Sequence, residues 1–319
     1  MDLQGTRVLV VGGAGLLGSH LVDQLVDEEV KEIVVLDNFV RGTRANLAPA
    51  VKSPKVKVVE GSITDIDLLR RVMASTDIVF LLAALWLFEC VENPRACVEV
   101  NVVGNYNVVE LAHELEVKRI VHSSSASVYG DALTVPMTED HPFNNRTMYG
   151  ASKIAVEQFL RAYNEMVGLS YVSYRYMNIY GPRMDYRGAY VGVIPKVLDR
   201  IDRGLPPIVF GDGSQSYDFV YVGDVARANI LGAKSDVSDE FFNIGTGIRT
   251  TIDELVTLLL ELTGSDLKPE YRPQEQMFVT HRVGSTQKAE RLLGFRAEVP
   301  LREGLRRFIE WRRQDMARG

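Results

Sequence analysis

A doubly wound α/β fold, a parallel Rossmann sheet followed by a smaller α/β C-terminal lobe, is the architecture that this sequence of 319 residues predicts. Three observations carry that expectation. Short β-branched runs alternate with helix-length segments through the N-terminal half. Those runs are continuously apolar rather than alternating, as strands covered on both faces are. A glycine-rich turn joins the first run to the first helical segment, the usual beginning of such a sheet.

The runs are RVLVV from Arg7, EIVVL from Glu32, KVKVV from Lys55 to Val59, DIVFLLA from Asp77, RIVHSS from Arg119 and YVSYRY from Tyr171. Apolar residues recurring every three or four positions predict helices over Leu16 to Glu28, Asp65 to Met73, Pro94 to Leu115 and Tyr149 to Val167. After about Gly181, proline and glycine dominate through GPRMDYRG and RGLPPIVFGDGSQS, and YVGDVARANILGA from Tyr221 reads as one more strand end and helix of the sheet. The expected division is a sheet domain of residues 1–177 and about 219–243, and a lobe of about 178–218 and 244–319.

Composition narrows the partners. With 46% hydrophobic residues the chain can bury a large core. Its net charge of −6 argues against a phosphate-tracking surface, so no nucleic-acid partner is expected. The polar start, Met1 to Arg7, has no secretory character, and no apolar run reaches membrane-spanning length, so a cytoplasmic protein without membrane contact is expected. Two cysteines, Cys90 and Cys97, supply neither CxxC nor a disulfide framework and are expected to be buried, inert thiols in a reducing compartment. Five scattered histidines lack ligand spacing, so no metal site is expected. Near the C-terminus Arg302, Arg306, Arg307, Arg312 and Arg313 alternate with Leu301, Leu305, Phe308, Ile309 and Trp311, the pattern of a helix with a solvated basic face.

The turn GGAGLLG places Gly12, Gly15 and Gly18 between the first strand and its helix. Glycines there let the backbone turn tightly and approach a pyrophosphate, while the helix N-terminus offers unpaired N–H groups. Asp37, ending the second run about twenty residues on, can accept hydrogen bonds from the adenosine ribose and would repel a 2′-phosphate. NAD is therefore the expected cofactor; Arg41 and Arg44 are the residues that could hold a 2′-phosphate instead.

YGASK puts Tyr149 and Lys153 at i and i+4 on one helix face, and SSSASVYG ends a strand with three serines. An ammonium beside a phenol favours the phenolate, so Lys153 is expected to lower the pKa of Tyr149 and make it a general base. Ser125 can hydrogen-bond the same substrate oxygen. Together they make a site for oxidising a hydroxyl to a ketone, with NAD taking the hydride.

GGAGLLG, SSSASVYG, YGASK, RYMNIYGPR and FGDGSQSYDFVYVGDV, in that order over nearly the whole chain, resemble the extended short-chain dehydrogenase/reductase superfamily and, within it, the nucleotide-sugar epimerases typified by UDP-glucose 4-epimerase. The resemblance implies a catalytic trio of Ser125, Tyr149 and Lys153. It implies cofactor contacts at Gly12, Gly15, Leu17, Gly18, Asp37, Asn38, Ile63, Leu82, Ala83, Asn101 and Tyr176, besides Tyr149 and Lys153. Asn178 matches an asparagine that holds the sugar-nucleotide diphosphate, a UDP-sugar being the implied substrate and a homodimer the implied assembly. Relatives share oxidation at the sugar's C4 and differ afterwards. Dehydratases and decarboxylases place acidic residues just after the Ser/Thr, where this chain has Ala126 and Ser127, so return of the hydride to the other face is expected. A nucleotide-sugar dehydratase, decarboxylase or keto-sugar reductase of the same superfamily and a non-catalytic NAD(P)-binding sensor or structural protein are the alternatives.

Some positions depart from the family. Ser62 stands where an Asp usually lies beside the adenine, and Tyr217 where an Arg usually meets the diphosphate; Arg272 and Arg282 are the candidates to compensate, Arg282 the preferred one. Trp86, between Leu85 and Leu87, is either core packing or a wall against the sugar ring.

Overall fold

Strands β1 (Arg7–Val11), β2 (Glu32–Asp37), β3 (Val56–Glu60), β4 (Ile78–Leu81), β5 (Arg119–Ser125) and β6 (Tyr171–Tyr176), with a seventh at Glu240–Ile244, form one sheet in the computed structural model, which describes residues 2–188, 191–273 and 280–317. The order is β3-β2-β1-β4-β5-β6 and then the seventh strand, and every pairing is parallel. Order reverses between β1 and β4, the switch point at which ligands of doubly wound sheets bind.

The continuous apolar character of the strands has a simple cause: both faces are covered. From β1, Val8 and Val10 pack on one side with Leu21, Val22 and Leu25 of helix α1 (Leu16–Val26), while Leu9 and Val11 pack on the other with Leu69 of α2 (Ile66–Met73). Helices α3 (Leu87–Glu92) and α4 (Pro94–Cys97), a π-helical stretch Val98–Gly104 and α5 (Asn105–Glu114) make up the segment expected as one helix. Helix α6 (Met148–Val167) begins at Thr147, whose hydroxyl accepts from the Gly150 N–H, and ends at Gly168 in the left-handed conformation. A separate core joins α7 (Val193–Asp202), α9 (Ile252–Thr263) and α11 (Leu301–Ala317). Between them in sequence, α8 (Val222–Lys234) packs on the sheet beside α1, and α10 (Gln287–Leu293) contributes to the core on that face of the sheet. Among the described residues no helix is long and apolar enough to cross a membrane.

Three expectations need correction. The run at Tyr221 does not end a strand of the main sheet: Phe219–Tyr221 pairs with Asn178–Tyr180 in a separate two-stranded sheet, and the seventh strand is EFFNI at Glu240. Cys90 and Cys97 are not free thiols but form a disulfide, with Cα atoms 4.9 Å apart and both residues fully buried. Asn93 and Pro94 interrupt the helix between them, and that break turns α4 back so that the two side chains meet. The basic face of α11 is not wholly solvated either. Arg312 is buried, paired with Asp202 and lying over the ring of Tyr186.

Candidate active site

A cavity of about 1280 Å³ opens at the carboxyl ends of β1 and β4 and runs into the C-terminal lobe. It exceeds the several hundred Å³ of an ordinary single-ligand pocket. Gly12, Gly15, Leu17, Asp37, Asn38, Ile63, Leu82, Ala83, Ser125, Tyr149, Tyr176, Asn178, Tyr217 and Arg282 all line it. Sequence positions far apart are thus gathered on one wall or the other.

The glycine turn has the shape that its residues require. Gly12 has φ +82°, and a side chain there would strike the backbone of Ala83 at 2.8 Å. A Cβ at Gly18 would lie 2.3 Å from the Gly12 carbonyl, so glycine there lets α1 close on β1. No side chain caps α1 at Gly15, and Gly15, Leu16 and Leu17 line the cavity, so the positive end of the helix faces it. Asp37 accepts from the N–H groups of Ala14 and Phe39, both at 2.8 Å, which fixes its carboxylate at the rim with lone pairs to spare. Arg44 is committed to Glu60 at 2.5 Å, and Arg41 lies against Trp86, so neither arginine is dedicated to a 2′-phosphate. These residues fit an NAD molecule.

Across the cleft, β5 delivers Ser125 and α6 delivers Tyr149 and Lys153. Ser125 Oγ donates to Ser127 Oγ and accepts from the Ser127 N–H, both at 3.1 Å, and lines the same cavity as Tyr149. Lys153 is buried; its Nζ donates to the Ser123 carbonyl at 2.7 Å and stands 5.8 Å from the centre of the Tyr149 ring. The expected effect on the phenol is reversed in direction. Burial pushes the Tyr149 pKa up, and what pulls it down is first the nearby Ser125 hydroxyl, then the charges of Arg282 and Arg41. Lys153 itself is lowered to about 8 by burial, with the Glu157 carboxylate pushing it back up.

Residues that sequence reasoning passed over support this wall. Glu157 is fully buried and accepts from Ser124 Oγ at 2.6 Å and from Arg175 in a two-pronged pair at 2.9 and 2.7 Å. Arg175 also donates to the hydroxyl of Tyr129, at 3.0 Å. The network therefore anchors the strand end carrying Ser125 to the helix carrying Lys153. A charged residue four positions after Lys153, and an arginine inside the apolar run YVSYRY, were the available signals.

Asn101 does not line the cavity. Its side chain accepts from the Leu85 N–H at 2.7 Å and donates to the Leu85 carbonyl at 2.9 Å, holding the loop that does. In the C-terminal lobe Arg282 sits on a two-residue strand paired with Ser216–Tyr217, and its Nε is buried without a hydrogen-bond partner among the described residues. Arg272 is exposed and paired with Glu270.

A dinucleotide-dependent enzyme of the short-chain dehydrogenase type is what this sheet and this Ser-Tyr-Lys wall define. The comparisons agree and are more specific. Residues 8–245 match the NAD dependent epimerase/dehydratase family, and the chain belongs to it. A putative UDP-glucose 4-epimerase of Methanocaldococcus jannaschii is 36% identical over 95% of this chain and 97% of its own. A UDP-N-acetyl-alpha-D-glucosaminuronate decarboxylase of Bacillus cytotoxicus is 31% identical over 97% and 98%. Among solved structures, the UDP-N-acetylglucosamine 4-epimerase from Methanobrevibacter ruminantium, in complex with UDP-N-acetylmuramic acid, superposes with a TM-score of 0.93 at 31% identity, covering 98% of this chain and 100% of that one. The protein is thus an NAD-dependent enzyme of an epimerase and dehydratase family.

Proposed function

We propose that the protein is a nucleotide-sugar 4-epimerase acting on a UDP-sugar. The observation that carries this is that Ser125 and Tyr149 line one cavity together with the glycine turn, with Ala126 and Ser127 in place of an acidic pair. Relatives and solved neighbours named for 4-epimerases support the same reading.

In this mechanism Tyr149 accepts the proton of the sugar's C4 hydroxyl, and Ser125 hydrogen-bonds the same oxygen as it becomes a ketone. Lys153 supplies the nearby positive charge that stabilises the phenolate. NAD, when bound, supplies the hydride acceptor, its later donor and a further positive charge. After the keto sugar turns over in the cleft, Tyr149 returns its proton to the same oxygen. Gly12, Gly15, Leu17, Gly18, Asp37, Asn38, Ile63, Leu82, Ala83 and Tyr176 would hold the dinucleotide, with Asn101 acting through the Leu85 loop. Asn178 and Arg282, whose Nε has no hydrogen-bond partner among the described residues, would take the diphosphate, replacing the arginine absent at Tyr217. The cleft between residues 1–177 with 219–243 and the remaining lobe would be the substrate site.

Elimination or decarboxylation would require a proton shuttle where Ala126 is fully buried and Ser127 is engaged with Ser125. Incubation with a panel of nucleotide sugars, without added NAD, should yield C4 epimers; a 4-keto-6-deoxy sugar or a product that has lost CO₂ would overturn the reading. Tyr149→Phe should lower turnover by roughly 10²–10⁴-fold while NAD stays bound. We also infer a homodimer. The exposed Val98, Val103 and Met148 of the 94–115 segment and α6 supply an apolar surface for it, and sedimentation would test it.

A further inference from the structure

We propose that Arg41 and Trp86 form an arch over the glycine turn that holds the dinucleotide in place. The sheet order makes the argument. Strand β1 lies between β2 and β4, so the loops leaving β2 and β4 flank the Gly12–Gly15 turn on its two sides. Arg41 belongs to the first loop and Trp86 to the second, yet they touch: the Arg41 guanidinium lies 5.2 Å from the centre of the Trp86 ring. Glu89 ties the contact together, with one carboxylate oxygen 3.6 Å from Arg41 Nε and the other accepting from the Trp86 N–H at 2.6 Å. A contact between the flanking loops passes above what lies between them, and a pyrophosphate on the glycine turn lies between them.

The two feet of the arch are fixed. On the β2 side, Asn46 Nδ2 donates to the Ala14 carbonyl at 2.9 Å, and a Cβ at Gly42 would lie 2.7 Å from Ala14, so this loop is pressed onto the glycine turn itself. On the β4 side, Asn101 holds both backbone groups of Leu85. The keystone is softer. About a third of the Arg41 side chain and a quarter of the Glu89 side chain reach solvent, so rotation of two side chains opens the arch without moving the backbone. Arg44, on the same loop, plays no part, being paired with Glu60 and lying over Phe39.

An enzyme that reuses its cofactor each turn gains from slow release, and a cation–π contact with a partly desolvated ion pair is of the size to provide it. The inference rests on NAD as cofactor and not on the identity of the sugar reaction. To test it, the protein is loaded with NADH and chased with excess NAD while fluorescence reports release. Arg41→Ala and Trp86→Ala should each release NADH on the order of 3- to 30-fold faster, the double variant no faster than the faster single one, and Arg44→Ala at the original rate. Arg41→Lys, which keeps the charge and loses the planar contact, should fall between and guards against a folding defect in Arg41→Ala.

Release from Arg41→Ala and Arg41→Lys at the original rate, or single effects that multiply in the double variant, would overturn the arch. Failure of the unsubstituted protein to hold NADH would remove the cofactor and the arch together. Normal retention without C4 epimerisation would count only against the reaction proposed above.

Discussion

The two walls of the cleft are built in opposite ways. On the sheet side, Ser125 and Lys153 ride on a seven-residue strand and a twenty-residue helix, and the charges behind them are paired. On the lobe side, Arg282 and Tyr217 ride on strands of two residues, and the Arg282 Nε is a buried donor without a partner among the described residues. On the mechanism proposed above, the wall that would perform the same proton transfer on every substrate is completed by the fold, and the wall that would recognise an anion leaves a donor for it, because a buried donor paired within the protein would have to be unpaired before it could bind.

Breaking the sheet-side wall should have the largest effect. Arg175→Met leaves the fully buried Glu157 without its two-pronged guanidinium partner and should cost about 3–5 kcal/mol in chemical denaturation. Adding Glu157→Gln should restore part of that loss. Equal losses in the single and double variants would mean that the ion pair does not hold this wall together.

The seam between the walls gives a pH test. His20 of α1 donates from Nε2 to the Pro182 carbonyl at 3.0 Å, and burial with the nearby Arg183 charge lowers its pKa to about 4. Between about pH 4 and 6.5 the unfolded chain binds more protons at this residue than the folded one. Stability therefore rises with pH across that window, by about 3 kcal/mol from this group, and the penalty is complete below it. His20→Gln should flatten the profile between those limits and leave the carboxylate-driven loss at lower pH. An unchanged slope would remove His20 from the account.

The smallest effect is expected on the lobe side. Arg282→Met should raise the KM for a nucleotide sugar by on the order of tenfold to a hundredfold, with Arg282→Lys intermediate and thermal stability little changed, since the Nε donor has no partner among the described residues. A large fall in melting temperature with KM unchanged would make Arg282 a packing residue and reduce the contrast between the walls.

Much of this was legible because it is local or periodic. Continuous apolar runs announce strands covered on both sides, and β1 through β6 fall on the predicted runs. Glycine at positions 12 and 18 follows from backbone approach alone, and Tyr149 and Lys153 share a face because the helix repeats every 3.6 residues. EFFNI was harder to read, being short and separated by a lobe from the strand it joins. Its pairing with β6 depends on how α8 returns the chain to the sheet.

Fold class, the glycine turn, the Asp37 carboxylate and the Ser-Tyr-Lys order were determined by the sequence itself, since each depends on residue type and spacing along one chain. Only the tertiary structure decided that burial raises the pKa of the Tyr149 phenol, that Cys90 meets Cys97 across a broken helix, and that Glu157 finds Arg175. Desolvation and long-range pairing are properties of what surrounds a group, and spacing along the chain carries no record of those surroundings.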